Sequence, residues 1–353
     1  GSGHAGLASA GGMTDPEIAP SNADPITHCL CLDVGTAPHE RLELRDVGAF
    51  RPDAGARLLL KKSAPDFAAR LDRFTHGARF VLGHNCAQFD QPVLAHLYPA
   101  LALHGLPLVD TLELSPIAFP QNPYHRLVKD YKLCTTTRND SVRDAELAYA
   151  LFLDQRQALR ERSAQHPEEA LCLHFLLVPE GADQVGLGEL LQTWRGDRRP
   201  SLVEAKLAWM RATKGKVCAT AQRRVVAEWL PDPSWHQPLA YVLAWLGVAG
   251  GNSVLPPWVG RSHPRTREAI HALRDTPCED PQCTWCREHH QLDVLLPRFF
   301  PGITHFRATP TTPDGRSLQQ AIVENGMAGP PNPARLAPGG GETPGYQVAG
   351  PAA

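Results

Sequence analysis

Charge of one sign is missing from this sequence. Its 35 lysines and arginines face 37 aspartates and glutamates, a net charge of −2 with histidine neutral. That balance excludes a global field drawing in nucleic acid, so any such binding must come from a local patch. Long hydrophobic runs are also absent: no segment has the length to span a bilayer, and no signal peptide is recognisable. Internal repeats are absent, which excludes a solenoid. A disulfide framework is not expected either. Most of the 9 cysteines sit singly in apolar stretches, and the one tight cluster has metal-like spacing, so a reducing cytoplasm is the expected compartment.

What is present suits a folded chain. The 353 residues are 42% hydrophobic, enough for two or three cores, while 33 prolines and 29 glycines point to linkers. Residues 1–25 are small, polar and rich in Pro and Gly, with Met13 a candidate start. Thr27 to Val34 reads as a buried strand, Arg41 to Phe50 as its hairpin partner, and Asp66 to Phe74 as a helix. Arg79 to Gly83 is the next strand, Gln91 to Tyr98 opens a helix, Pro107 to Thr111 is a strand, and Ala145 to Arg162 is a long helix. Alternating strands and helices over residues 26–162 predict an α/β domain. Residues 168–274 read as mainly helical, 276–292 as a cysteine cluster, 295–329 as a further segment with a short helix, and 330–353 as a Pro/Gly-rich disordered tail.

Asp33, Asp90 and Asp144 fall at strand ends or on a following helix. Metal-assisted phosphodiester hydrolysis needs scattered carboxylates to converge on two cations, and magnesium or manganese suits oxygen ligands. Taken singly, an Asp after a strand is most often a cap or turn residue. The surroundings add to the signal. Gly83 to Asp90 (GHNCAQFD) places Asn85 ahead of Phe89-Asp90, Leu32-Asp33 ends the first strand, and Asn139-Asp140 precede Asp144 at the entry to a helix.

In these residues the chain resembles the DEDD superfamily of 3′–5′ exonucleases over about Ile26 to Arg160. The resemblance implies a ribonuclease-H-like mixed sheet flanked by helices, with Asp33, Asp90 and Asp144 binding magnesium or manganese. It also implies that Asn85 and Phe89 support the substrate side, and Asp110-Thr111-Leu112 matches a tripeptide relatives often carry. Two departures stand out. The family's first motif reads Asp-x-Glu, and here Gly35 replaces the glutamate, with no geometric reason for Glu40 or Glu43 to substitute. The family's His or Tyr base is replaced by Asn139 or Asp140; an amide orients water but accepts no proton, while Asp140 is a weak base or a helix cap. His84 and His125 are other candidate bases.

Cys278, Cys283 and Cys286 with His289 or His290 offer three thiolates and an imidazole, which predicts a structural zinc knuckle completed by His289. Phe299 to Arg307 and Ser317 to Val323 resemble the segment leading into RecQ-like helicases, but Glu342 stands where a phosphate-binding lysine belongs, so no ATPase activity is expected. The order of segments resembles the N-terminal part of RecQ-like helicases that carry a DEDD domain. Arg198, Arg199, Lys214 and Lys216, interleaved with Trp194 and Trp209, form a candidate single-strand surface; a solvated helix face with core tryptophans is the plainer reading. The expected function is a metal-dependent 3′–5′ exonuclease acting on single-stranded DNA or 3′ ends. Gly35 and the absent base favour an alternative, a catalytically inactive nucleic-acid-binding module or scaffold.

Overall fold

The computed structural model describes residues 25–37, 40–122, 140–182, 186–196, 198–248, 255–280 and 282–290. Asn139, His125, the helicase-like segment 295–329 and the tail 330–353 lie outside them. The described residues all belong to one compact unit.

Five strands form a mixed sheet: β1 (Cys29–Ala37), β2 (Glu40–Arg51), β3 (Ala56–Lys61), β4 (Phe80–Gly83) and β5 (Leu108–Asp110). Their order is β3-β2-β1-β4-β5. β2 runs antiparallel to β1 and β3, and β4 and β5 run parallel to β1. The parallel partners need helical crossovers: α1 (Phe67–Thr75) leads to β4, α2 (Asp90–Leu97) to β5, and α3 (Thr111–Ala118) and α4 (Ser141–Gln165) follow β5.

Period-2 alternation splits β1 between two cores. Cys29 and Cys31 face one side with Phe80 and Leu82, against Leu114 and Ile117 of α3 and Ala145 and Phe152 of α4. Leu30, Leu32 and Val34 face the other, against Phe67 and Leu71 of α1 and Val93 and Leu94 of α2. α4 persists because Ala, Leu, Arg, Glu and Gln dominate it, and its buried Ala145, Ala148, Phe152, Gln155 and Leu159 recur at helical spacing. Its Asp140 N-cap accepts from the amides of Val142 (3.1 Å) and Arg143 (3.2 Å).

The remaining described elements are helical: α5 (Pro167–Leu177), α6 (Leu187–Arg195), α7 (Leu202–Ala212), α8 (Ala219–Arg224), α9 (His236–Leu246), α10 (Pro257–Ser262), α11 (Pro264–Ile270) and α12 (Thr284–His289). The cluster containing Cys29 and Phe152 continues through Leu173, Trp209, Trp229 and Leu239 to Leu273. None of the described helices is long and apolar enough to cross a membrane.

A polar clasp joins α3 to the later helices. Tyr241 of α9 donates its hydroxyl to Glu113 at 2.5 Å, and Nε2 of His263 lies 2.9 Å from the same carboxylate oxygen. Burial pushes the Glu113 carboxyl up, but these two partners outweigh it and hold it below its ordinary value. A depressed folded-state value means stability present above the unfolded carboxylate's range, ~4.3, and lost as pH falls through the folded value. Glu113→Ala strands the buried Tyr241 hydroxyl and is expected to cost about 2–3 kcal/mol. Thermal melts from pH 7 to pH 3 should show the gap between variant and wild type narrowing with acid; a gap that widens contradicts the clasp.

Candidate functional site

Asp33 lies in the middle of β1, opposite Gly48 of β2; the strand runs on to Ala37 rather than ending at Asp33 as the sequence suggests. Asp90 starts α2 and is buried, 2% exposed, with Oδ1 accepting the Val34 amide at 2.6 Å. Burial pushes its carboxyl well above the usual range, the charge of Asp33 pushes further, and the Val34 amide pulls back. The two carboxyls therefore feel each other. Asp144 sits in the first turn of α4, which packs on β1 and β2.

The loop ahead of Asp90 is built around Asp110. Its Oδ1 accepts the amides of Asn85 (2.8 Å) and Leu112 (2.9 Å), and Oδ2 that of Ala87 (2.9 Å). Asn85 takes a left-handed backbone, φ 63°, inside this turn, a conformation Asn tolerates better than most residues. Phe89 is half-buried before α2, and His84 meets Thr111 through Nδ1 and Oγ1 at 2.9 Å. Asp110 is thus a positioning residue for the loop ahead of Asp90.

Gly35 is not an open gap. It pairs with Asp46 across β1 and β2. A Cβ on it would collide with Oδ1 of Asp46 and lie 2.6 Å from a guanidinium nitrogen of Arg45 and 2.9 Å from the Ser141 hydroxyl. Asp46 accepts from Arg45 Nε at 2.6 Å and from Ser141 Oγ at 2.6 Å. Burial raises the Asp46 carboxyl, but these bonds outweigh it and keep it ionised. Arg45 is held above its ordinary value by its bond to Asp46, and Asp33 adds to the effect. An ion pair thus fills the space over Gly35, with a permanent cation near Asp33. Glu43 is exposed.

Asp140 caps α4, its Oδ1 taken up by the Val142 and Arg143 amides. Among the described residues, the only group of three or more metal-ligating side chains gathered within 4.8 Å consists of cysteines. Asp33, Asp90 and Asp144 are not drawn to that spacing.

That group is Cys218, Cys278, Cys283 and Cys286. Cys218–Cys283 and Cys278–Cys286 sulfurs lie 3.5 Å apart. Four ligands at ~2.3 Å in a tetrahedron place sulfurs about 3.8 Å apart, so the set fits a single ion such as zinc. An iron–sulfur cluster would divide the four thiolates over two or four irons and spread them further apart than a single ion does. Cys218 precedes α8: burial raises its thiol, but the Ala221 and Thr220 amides and neighbouring thiols bring it down to about 7. Burial pushes Cys278 and Cys286 up; a bound cation would reverse that and draw thiolates from all four.

The fourth ligand is a correction to the sequence reading. His289 is outside the group: its Nδ1 lies 2.8 Å from the Trp285 carbonyl, and its ring stacks on Trp285 at 4.1 Å. Cys218, a lone thiol far upstream, takes that position. Among the described residues no cysteine is in a disulfide.

The basic segment is divided. Arg198 and Lys214 are exposed and Lys216 is half-exposed. Arg199 instead donates to the carbonyls of Val178 (2.5 Å) and Phe175 (3.0 Å) and covers the Phe175 ring at 4.3 Å. It closes the end of α5. Trp209 is fully buried at 0% exposure and offers no stacking face.

Purified chain should carry one zinc ion, measured by elemental analysis after gel filtration. Cys218→Ser is expected to lose most of it and His289→Ala to keep it; the reverse pattern would return His289 to the ligand set. No family model matches this chain, nor does any curated protein or solved structure.

Proposed function

We propose that the mixed-sheet region is a ribonuclease-H-like module of the DEDD exonuclease type on which two-cation hydrolysis is closed off. In this reading it acts as a non-catalytic nucleic-acid-binding module beside a structural zinc. The strand order, with β1 central and Asp33, Asp90 and Asp144 on β1, α2 and α4, supports the fold assignment. The observation that carries the loss of chemistry is the Arg45–Asp46–Ser141 group over Gly35. The motif's glutamate would bridge or steady the second cation, and here a guanidinium supplies positive charge near Asp33 instead. With neither a second cation nor an imidazole or phenol at the base position, attack by water is not activated.

Binding would rest on local cations such as Arg198, Lys214 and Arg223, exposed on the helical region. Each phosphate contact on a single strand steepens the salt dependence of log K by ~0.7. Single-stranded DNA and 3′ ends are the proposed partners, within a protein related to RecQ-like helicases.

One observation favours the catalytic alternative. Asp90 is a buried carboxyl raised further by Asp33, a strain that a single cation would relieve. A nuclease assay on 3′-labelled oligonucleotides separates the two. The proposal expects no cleavage with magnesium or manganese above that of Asp90→Ala, together with single-strand binding that weakens steeply between 50 and about 200 mM salt. Cleavage that disappears in Asp90→Ala would establish the exonuclease; absence of salt-dependent binding would leave a scaffold. Gly35→Glu alone should displace the Arg45–Asp46 pair and the Ser141 hydroxyl from their present places rather than install activity.

A further inference from the structure

Each half-exposed thiol of the cysteine set has a buried one within reach. Cys278 and Cys283 are half-exposed, while Cys218 and Cys286 are only 1% and 2% exposed. The 3.5 Å sulfur–sulfur separations run from Cys278 to Cys286 and from Cys283 to Cys218. The four thiols therefore divide into two pairs with none left over. Each pair joins a sulfur that an oxidant in solvent can reach to one that it cannot. The Cys278 amide also donates to the Cys286 sulfur at 3.3 Å, which holds that pair together from the backbone.

Separation alone does not single these pairs out. The Cys29 and Cys31 sulfurs also lie 3.5 Å apart, on one face of β1. Both are fully buried, and burial pushes the Cys31 thiol well above its ordinary value. A neutral, enclosed thiol is a poor nucleophile. Access, not distance, separates the two cases.

We propose that the four cysteines form a peroxide-sensitive switch, in which oxidation joins Cys278 to Cys286 and Cys283 to Cys218 and releases the metal. The switch presupposes the zinc site described above. A half-exposed thiolate attacks one oxygen of hydrogen peroxide; the O–O bond breaks, hydroxide leaves, and the sulfur becomes a sulfenic acid. The buried thiolate 3.5 Å away attacks that sulfur, the S–O bond breaks, and a second hydroxide leaves as the disulfide forms. Each pair gives up two electrons to one peroxide, and two protons from solvent turn the hydroxides into water. Disulfide sulfurs are no longer thiolates, so the metal loses its ligands. Cys218 and Cys283 are 65 positions apart, so their bond keeps α8 tied to the α12 segment after the metal has gone. A thiol reductant with zinc reverses both steps.

Titrating the zinc-loaded full chain with hydrogen peroxide tests this. Released zinc is read with a chromogenic chelator, at a concentration that takes none from untreated chain, and disulfides are mapped by mass spectrometry after alkylation. Zinc should appear in step with the two named disulfides, at about two peroxides per zinc, while Cys29 and Cys31 stay reduced. Dithiothreitol and zinc should restore the starting state. The oxidised chain should melt above reduced chain stripped of zinc. A chain that holds no zinc before peroxide sinks the zinc reading and the switch together. With zinc present at the start, the switch alone is overturned by retained zinc, other disulfide pairings, sulfinic acids in place of disulfides, or an oxidised chain that melts no higher than the stripped one.

Discussion

How closely the first turn of α4 lies on the sheet decides the rest of the candidate site. Gly48 of β2 makes the approach achievable: a Cβ there would collide with the backbone of Ser141 and Val142. Only glycine lets a helix backbone lie against a strand this closely. The same approach sets Ser141 against Asp46 and closes the space over Gly35. It also carries Asp144 to the side of β1 that bears Asp33. The contact that sets α4 on the sheet is therefore also the one that places the Ser141 hydroxyl over Gly35.

From that anchor α4 extends into the helical region. Arg162, near its end, pairs with buried Glu169 of α5 and donates to the Ala244 carbonyl of α9. The Glu113 clasp makes a parallel link from α3 to α9 and His263. The cysteine set adds a third, tying the entry of α8 to the segment around α12. Charged groups in these links are paired or hydrogen-bonded, which keeps their burial tolerable.

Much of this architecture was readable from residues alone, and the parts that were not have identifiable reasons. β1, β4 and β5 are short apolar runs with clear punctuation, and α4 has strong helix formers and a good cap. β3 was not expected: Ala56-Arg57-Leu58-Leu59-Leu60-Lys61 lacks β-branched residues and lies at the sheet edge, with Leu59 51% exposed. α3 was missed because Pro116 argues against a helix, yet Pro116 sits within it, and Gln155 of α4 donates to the Thr111 carbonyl and the Ser115 hydroxyl of the same helix. Asp46 was invisible as a site residue because its place over Gly35 depends on strand register, which one sequence leaves open. Cys218 was invisible because a lone thiol in an apolar stretch has no local spacing to mark it. For Arg199 and Trp209 a nucleic-acid surface was only the candidate reading; the plainer one, with tryptophan in the core, holds for Trp209, while Arg199 turns inward onto the end of α5.

The central claim is that an ion pair, not a second metal ion, occupies the space above Gly35. Anomalous scattering from crystals soaked in manganese measures this most directly. The account predicts Arg45 still paired to Asp46 and no pair of manganese ions beside Asp33. Two ions about 4 Å apart, bound to Asp33 with Arg45 displaced, would contradict it.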